Sequence, residues 1–309
     1  MGNLIQEMVV LYSFALLGYA AFKCKVLNKD SHDVLSSIIL KITLPCLIIH
    51  SLDKPFEIEM LKEFIYLLSL SLYILTASVL LASWMGNRMR DEKRKRAAYE
   101  SLIIFGNQGF IGYAVVYTLF GEDGIVYVVI FNIFYLILIW TYGIYLFNRA
   151  SDVFTYRRLF NAGLISTLLG IIILLLPFSL PLFVTNMLEE IGNMTIPLSM
   201  IMIGSLIATV KGKELLVLMK NTYIWLAVLA KLILIPLLLF PFIFFPSYPQ
   251  LLIIACLVSA MPSATTSSLY AQQYGGDAQF ASVGVALSTM LSLVTIPVFI
   301  LLLTSLLKG

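Results

Sequence analysis

The chain has 309 residues, of which 60% are hydrophobic and 12% charged, with a net charge of +3 and a mean hydropathy of +0.97. Soluble domains carry roughly 25% charged residues, so this composition belongs to an integral membrane protein and leaves no basic surface for nucleic acid. Three cysteines (Cys24, Cys46, Cys256) and two histidines (His32, His50) show no ligand spacing, which argues against a disulfide framework or a histidine-rich metal centre.

Windows of about 20 apolar residues predict ten membrane spans. They fall at residues 4–22, 34–52, 64–85, 97–120, 124–146, 159–176, 185–210, 222–245, 250–274 and 278–303. The amino terminus MGNLIQEMVV has no basic residue before its apolar run, which predicts no cleaved signal peptide. Span four, AAYESLIIFGNQGFIGYAVVYTLF, is interrupted by Gly106, Asn107, Gln108 and Gly109. Span nine, LLIIACLVSAMPSATTSSLYAQQY, is interrupted by Ser259, Pro262, Ser263, Thr265 and Thr266. Proline lacks the amide that would bond one turn back, and glycine lowers the cost of leaving the helix. Hydrocarbon offers freed backbone groups no partner, so such breaks belong inside protein or beside water.

Lysine and arginine set the predicted orientation. Fifteen lie after the odd-numbered spans: Lys23, Lys25, Lys29; Arg88, Arg90, Lys93, Arg94, Lys95, Arg96; Arg149, Arg157, Arg158; and Lys211, Lys213, Lys220. The opposite side has Lys54, Lys62 and Lys308. This asymmetry puts both termini outside the cytoplasm, in the cell's plasma (inner) membrane, and makes the run MRDEKRKR a topology signal.

Two sequence echoes share nearly one offset. Thr-Leu-Pro ending at Pro45 returns as Thr-Ile-Pro ending at Pro197, 152 residues on. Phe120-Gly-Glu-Asp returns as Tyr274-Gly-Gly-Asp, 154 residues on. Five spans per repeat means that the second repeat enters from the opposite face. The expected fold is therefore all-α, with ten transmembrane helices in two inverted five-helix repeats, residues 1–150 and 151–309.

The segments GNQGFIGYAVVYTLFGEDG and SAMPSATTSSLYAQQYGGD, with Thr195-Ile196-Pro197 and Thr295-Ile296-Pro297, resemble the auxin efflux carrier family, including its bacterial malate or malonate permeases. The resemblance covers essentially the whole chain. It implies a scaffold (residues 1–55 and 156–212), a transport domain (60–150 and 220–309) in which helices four and nine cross, and a homodimer formed through the scaffold. Family members often carry proline shortly after the glycine at Gly112; here Tyr113 and Ala114 follow it.

A crossing of this kind brings half-helix amino termini, each carrying about half a positive charge, to one place near the midplane. The expected substrate-binding residues are Asn107, Gln108, Gly109, Asn132, Ser259, Pro262, Ser263, Thr265, Thr266 and Lys231. Ser263, Thr265 and Thr266 can cap the half-helix or donate hydroxyls, and Asn107 and Gln108 offer donors and acceptors. Lys231 is deep in span eight, where a charge costs roughly 2.5–3.5 kcal/mol; it either ties down free carbonyls or attracts an anion. Lys41, one turn before Pro45, is expected to bond the carbonyls that proline frees. Glu100 reads as an end-of-helix or headgroup-level carboxylate. No catalytic grouping appears, so the expectation is a secondary transporter of a small organic anion, a carboxylate of auxin-like or dicarboxylate type, moving by an elevator and needing no cofactor. The alternative is a sodium- or proton-coupled carrier that binds a cation at the same crossing, sodium being held by carbonyls and hydroxyls.

Overall fold

A computed structural model describes residues 2–55, 58–89, 93–147, 162–176, 179–209, 221–244 and 247–307. Arg90, Arg149, Arg157, Arg158, Lys211, Lys213, Lys220 and Lys308 lie outside the described residues, as do the expected division points at 150 and 156. Every described element is a helix. In chain order these are α1 (Gly2–Lys23), α2 (Lys29–Ile38), α3 (Leu44–Leu52), α4 (Ile58–Gly86), α5 (Lys93–Ile104), α6 (Tyr113–Phe131), α7 (Ile133–Phe147) and α8 (Ala162–Leu175). They continue with α9 (Leu182–Asn193), α10 (Thr195–Thr209), α11 (Thr222–Leu229), α12 (Ile235–Leu237), α13 (Pro249–Ser259), α14 (Thr265–Gln273) and α15 (Ala278–Leu307).

Six runs are long and apolar enough to cross a membrane: Asp30–Leu52, Met60–Gly86, Gln108–Phe131, Leu182–Thr209, Thr222–Phe244 and Ala278–Leu303. Shorter apolar helices at Val9–Lys23, Ile133–Phe147, Ile165–Leu175 and Pro249–Ser259 occupy further expected spans. The run Gln108–Phe131 is not one straight rod. Gly121 interrupts it with φ 64° and ψ −152°, a conformation essentially confined to glycine. This is where the sequence separates span four from span five. Gly275, 154 residues later, has φ 77°, and these are the positive-φ glycines among the described residues. The second sequence echo thus carries a positive-φ glycine in both copies.

Prolines widen the helix ahead of them. A π-turn at Ile39–Thr43 precedes Pro45, and another at Ala230–Leu234 precedes Pro236. The ring would clash with the carbonyl four residues back, so the turn opens and the Leu44 and Ile235 amides bond five residues back, to Ile39 and Ala230. Lys41 and Lys231 each sit inside one of these turns. Lys41 is exposed, and the Leu44 amide closes its widened turn onto the Ile39 carbonyl.

The chain divides into two compact units. The first comprises Met1–Tyr66, Gly109–Ile133 and Phe160–Thr209. In it α1 packs along α10, α3 packs on α8 and α9, and α6 contacts α1, α3 and α10. Small residues permit the closest approach: a β-carbon at Gly18 would overlap the Ile201 backbone, and one at Gly204 would overlap the Ala15 carbonyl. Asp53, ending α3, accepts from Leu180 N–H at 3.0 Å and Thr185 Oγ1 at 2.8 Å, which fixes the entry to α9. The second unit comprises Leu67–Gln108, Phe134–Leu159 and Val210–Gly309, with α5 held among α11, α14 and α15. Leu16, Leu80, Ile172 and Val294 are exposed apolar side chains, which a hydrocarbon surround accommodates.

Candidate functional site

Helix α5 stops at Ile104 and α13 stops at Ser259, both inside expected spans. The two freed segments satisfy one another. Gly106 and Ser263 form an isolated antiparallel bridge. Asn107 N–H donates to the Pro262 carbonyl at 2.6 Å, and Ala264 N–H donates to the Phe105 carbonyl at 2.9 Å. A buried amide or carbonyl without a partner costs about 1–3 kcal/mol, so this pairing removes the main objection to breaks inside the expected spans. The breaks therefore meet through main chain, in a strand-like contact that the chain uses nowhere else among its described residues.

Side chains then fasten the contact from several helices. Ser263 Oγ donates to the Leu102 carbonyl at 2.7 Å, and Ser263 N–H donates to Ser288 Oγ on α15 at 3.1 Å. Tyr135 on α7 donates its hydroxyl to the Gly106 carbonyl at 2.6 Å, an acceptor shared with Gln108 N–H at 2.9 Å. Lys231, in the π-turn after α11, is 2% exposed. A β-carbon at Gly106 would sit 3.0 Å from Lys231 Nζ, 3.2 Å from its Cε and 3.4 Å from the Met261 carbonyl oxygen. Glycine at 106 thus leaves the space through which the amine reaches the break. Among the described residues Lys231 forms no ion pair with a carboxylate.

Of the residues expected to bind substrate, Asn107, Gln108, Ser259, Pro262, Ser263, Thr265, Thr266 and Lys231 belong to this second unit. Gly109 and Asn132 belong to the first. There Gly109 faces Leu40, and Asn132 ends α6 as a buried residue with its side chain against Tyr113. Gln108 Oε1, Asn132 Oδ1, Ser259 Oγ and Thr266 Oγ1 are buried atoms without a protein hydrogen-bond partner. Buried polar atoms in folded proteins are nearly always paired, so orphans point to a ligand, water or ion. One expectation is corrected. Ser263 does not cap α14, because its hydroxyl is committed to Leu102; Ala264 occupies the cap and makes no side-chain bond, leaving the first amides of α14 with no side-chain acceptor. Glu100 is fully buried, paired with Arg96 at 2.6 Å and accommodated by Gly86.

Sequence reasoning overlooked Tyr135 and Ser288. A tyrosine deep in an apolar span signals that its hydroxyl needs an acceptor, which was readable. Ser288, in a run of small residues, carries no such signal. The combination of free amides, orphan hydroxyl and amide oxygens, and one buried amine can bind a small anion by hydrogen bonding and charge. Separately, the first unit holds a cavity of about 630 Å³ lined by Gln6, Phe14, Tyr117, Asn193 and Pro197.

The family described as membrane transport protein matches residues 3–156 and 149–300. The chain is also similar to an uncharacterized transporter of Methanocaldococcus jannaschii, with 25% identity over 206 residues. That alignment covers 63% of this chain and 66% of the relative's length, just short of two thirds.

Proposed function

Because the chain belongs to the membrane transport protein family, the auxin efflux carrier-like family of its motifs, and so is a multi-pass membrane transporter and not an enzyme, we propose that it is a secondary carrier for a small organic anion. The substrate class is a carboxylate, auxin-like or a dicarboxylate. The observation that carries this reading is the main-chain pairing of the two broken helices at Gly106 and Ser263, with Lys231 Nζ beside it. The free amides of α14 and the hydroxyls of Thr265 and Thr266 hydrogen-bond the carboxylate, Asn107 and Gln108 orient it, and Lys231 adds positive charge nearby. The chain spans the plasma membrane ten times as two inverted repeats, with both termini outside. It works as a homodimer through the scaffold, while residues 60–150 and 220–309 move as an elevator.

A second reading has its own support. Gln108 Oε1, Ser259 Oγ and Thr266 Oγ1 are oxygen atoms of the kind that coordinate sodium, which would make transport cation-coupled. Purified protein in proteoliposomes separates the two. Saturable carboxylate uptake without any sodium or proton gradient supports the first, and uptake strictly dependent on one of these gradients supports the second. Failure of every small mono- and dicarboxylate to shift thermal unfolding or to be transported would overturn the organic-anion assignment.

A further inference from the structure

Three side chains that the transport reading leaves unused meet in the first unit. His50 lies in the last turn of α3, Glu122 follows the Gly121 turn, and Glu189 lies on α9. His50 Nε2 is 3.1 Å from Glu122 Oε1. Ligand atoms of all three residues lie within 4.8 Å of one another. We propose that His50, Glu122 and Glu189 form a binding site for a divalent first-row transition metal, Zn²⁺ or one of its neighbours, with water completing the coordination.

The geometry is close to what such an ion needs. Zinc holds nitrogen and carboxylate oxygen at about 2.0–2.2 Å, which at a tetrahedral angle separates two ligands by roughly 3.3 Å. The imidazole and the Glu122 carboxylate already stand at that spacing. The donor set of one borderline nitrogen and two hard oxygens suits zinc, manganese or cobalt better than a soft cuprous ion. The imidazole is also not a solvated surface group. Its side chain is only 10% exposed, it turns Nε2 toward Glu122, and Nδ1 is buried without a partner. Glu122 is 48% exposed and Glu189 is solvent-accessible, so an ion and its waters have an entry path.

The three positions are held by different elements, each fixed independently. The adjoining Lys54 Nζ to Asp123 Oδ1 ion pair, at 2.6 Å, clamps the turn that carries Glu122. Tyr117 donates to Asn193 Oδ1 at 3.1 Å, which ties α6 to α9 one turn beyond Glu189. A bound ion would therefore find the imidazole and the Glu122 carboxylate pre-positioned, with a Glu189 oxygen within 4.8 Å.

The chain has two histidines, which makes the test selective. Full-length protein labelled with ¹⁵N-histidine in mild detergent gives two imidazole signals, those of His32 and His50. Titration with Zn²⁺ is expected to move the His50 signal to saturation at one ion per chain and leave His32 in place. Co²⁺ should broaden the same signal. Glu189→Gln and Glu122→Gln are each expected to weaken Zn²⁺ binding tenfold or more, while Glu190→Gln, an exposed neighbour on α9, changes it less than twofold. The proposal is overturned if neither ring responds at millimolar Zn²⁺, if both respond alike, or if Glu189→Gln binds as tightly as the unmodified chain. None of these outcomes depends on transport, so the metal site can fail while the carrier reading stands.

Discussion

Lys231 can serve the break in two ways, and replacing it separates them. If the amine mainly holds the main-chain carbonyls around Gly106 and Met261, Lys231→Ala lowers thermal stability more than it weakens the affinity of the surviving protein. If it is the principal counter-charge, affinity collapses while the unfolding temperature stays near that of the parent. The structural role is the expected one, because the amides and hydroxyls around α14 suffice as donors. Asn107→Ala or Thr265→Ala is then expected to leave the fold intact and weaken substrate binding by about one to two decades, the worth of a hydrogen bond to a charged group at about 1.5–3 kcal/mol. Isothermal titration beside thermal unfolding decides between the patterns. Tyr135→Phe removes one of the two donors on the Gly106 carbonyl, and a stability loss of about 0.5–1.5 kcal/mol is expected from chemical unfolding. The residues at the break were legible in the sequence because glycine, proline and amides are conspicuous within apolar runs. Their partners were not: Ser263 reads as a helix cap, and only the fold shows that Leu102 claims its hydroxyl.

Between helices, backbone conformation and close approach set the expectations. A β-carbon added at Gly121 or Gly275 would meet nothing within 4 Å, so alanine there costs only the strained backbone. A loss of about 1–3 kcal/mol is expected for Gly121→Ala, with a fall in unfolding temperature and no clash to relieve. Gly204→Ala is of the opposite kind. Its β-carbon would overlap the Ala15 carbonyl, which cannot swing aside, so α1 and α10 must separate at a cost of about 1–3 kcal/mol. Cross-linking between cysteines placed on α1 and α10 would report the separation, and unchanged cross-linking with unchanged stability would contradict it. The offset of 154 residues, read in the sequence only as an echo, also separates the two positive-φ glycines. The π-turns before Pro45 and Pro236 were hidden, since a proline announces a disturbance but not which way the helix absorbs it.

For the whole molecule, the charge asymmetry predicts which side each loop faces. In a chain whose native cysteines are replaced, Asp123→Cys, at an exposed turn, is expected to react with an impermeant maleimide in intact cells. Restoring Cys24 alone, exposed after α1, should give labelling only after permeabilisation. The reverse pattern would invert the orientation. Membrane class was plain from composition, since 60% hydrophobic content leaves few alternatives. The meeting of His50, Glu122 and Glu189 was not, because segments more than sixty residues apart supply it and no local spacing betrays it. The bridge between Gly106 and Ser263 also bears on how this chain can diversify. Its framework is written in amides and carbonyls, which every residue but proline carries, so the side chains at Gln108, Ser259 and Thr266 can be exchanged without dismantling it. Selectivity can drift by point substitution while the architecture that presents it is inherited unchanged, and an engineered library confined to those three positions should yield folded proteins at high frequency.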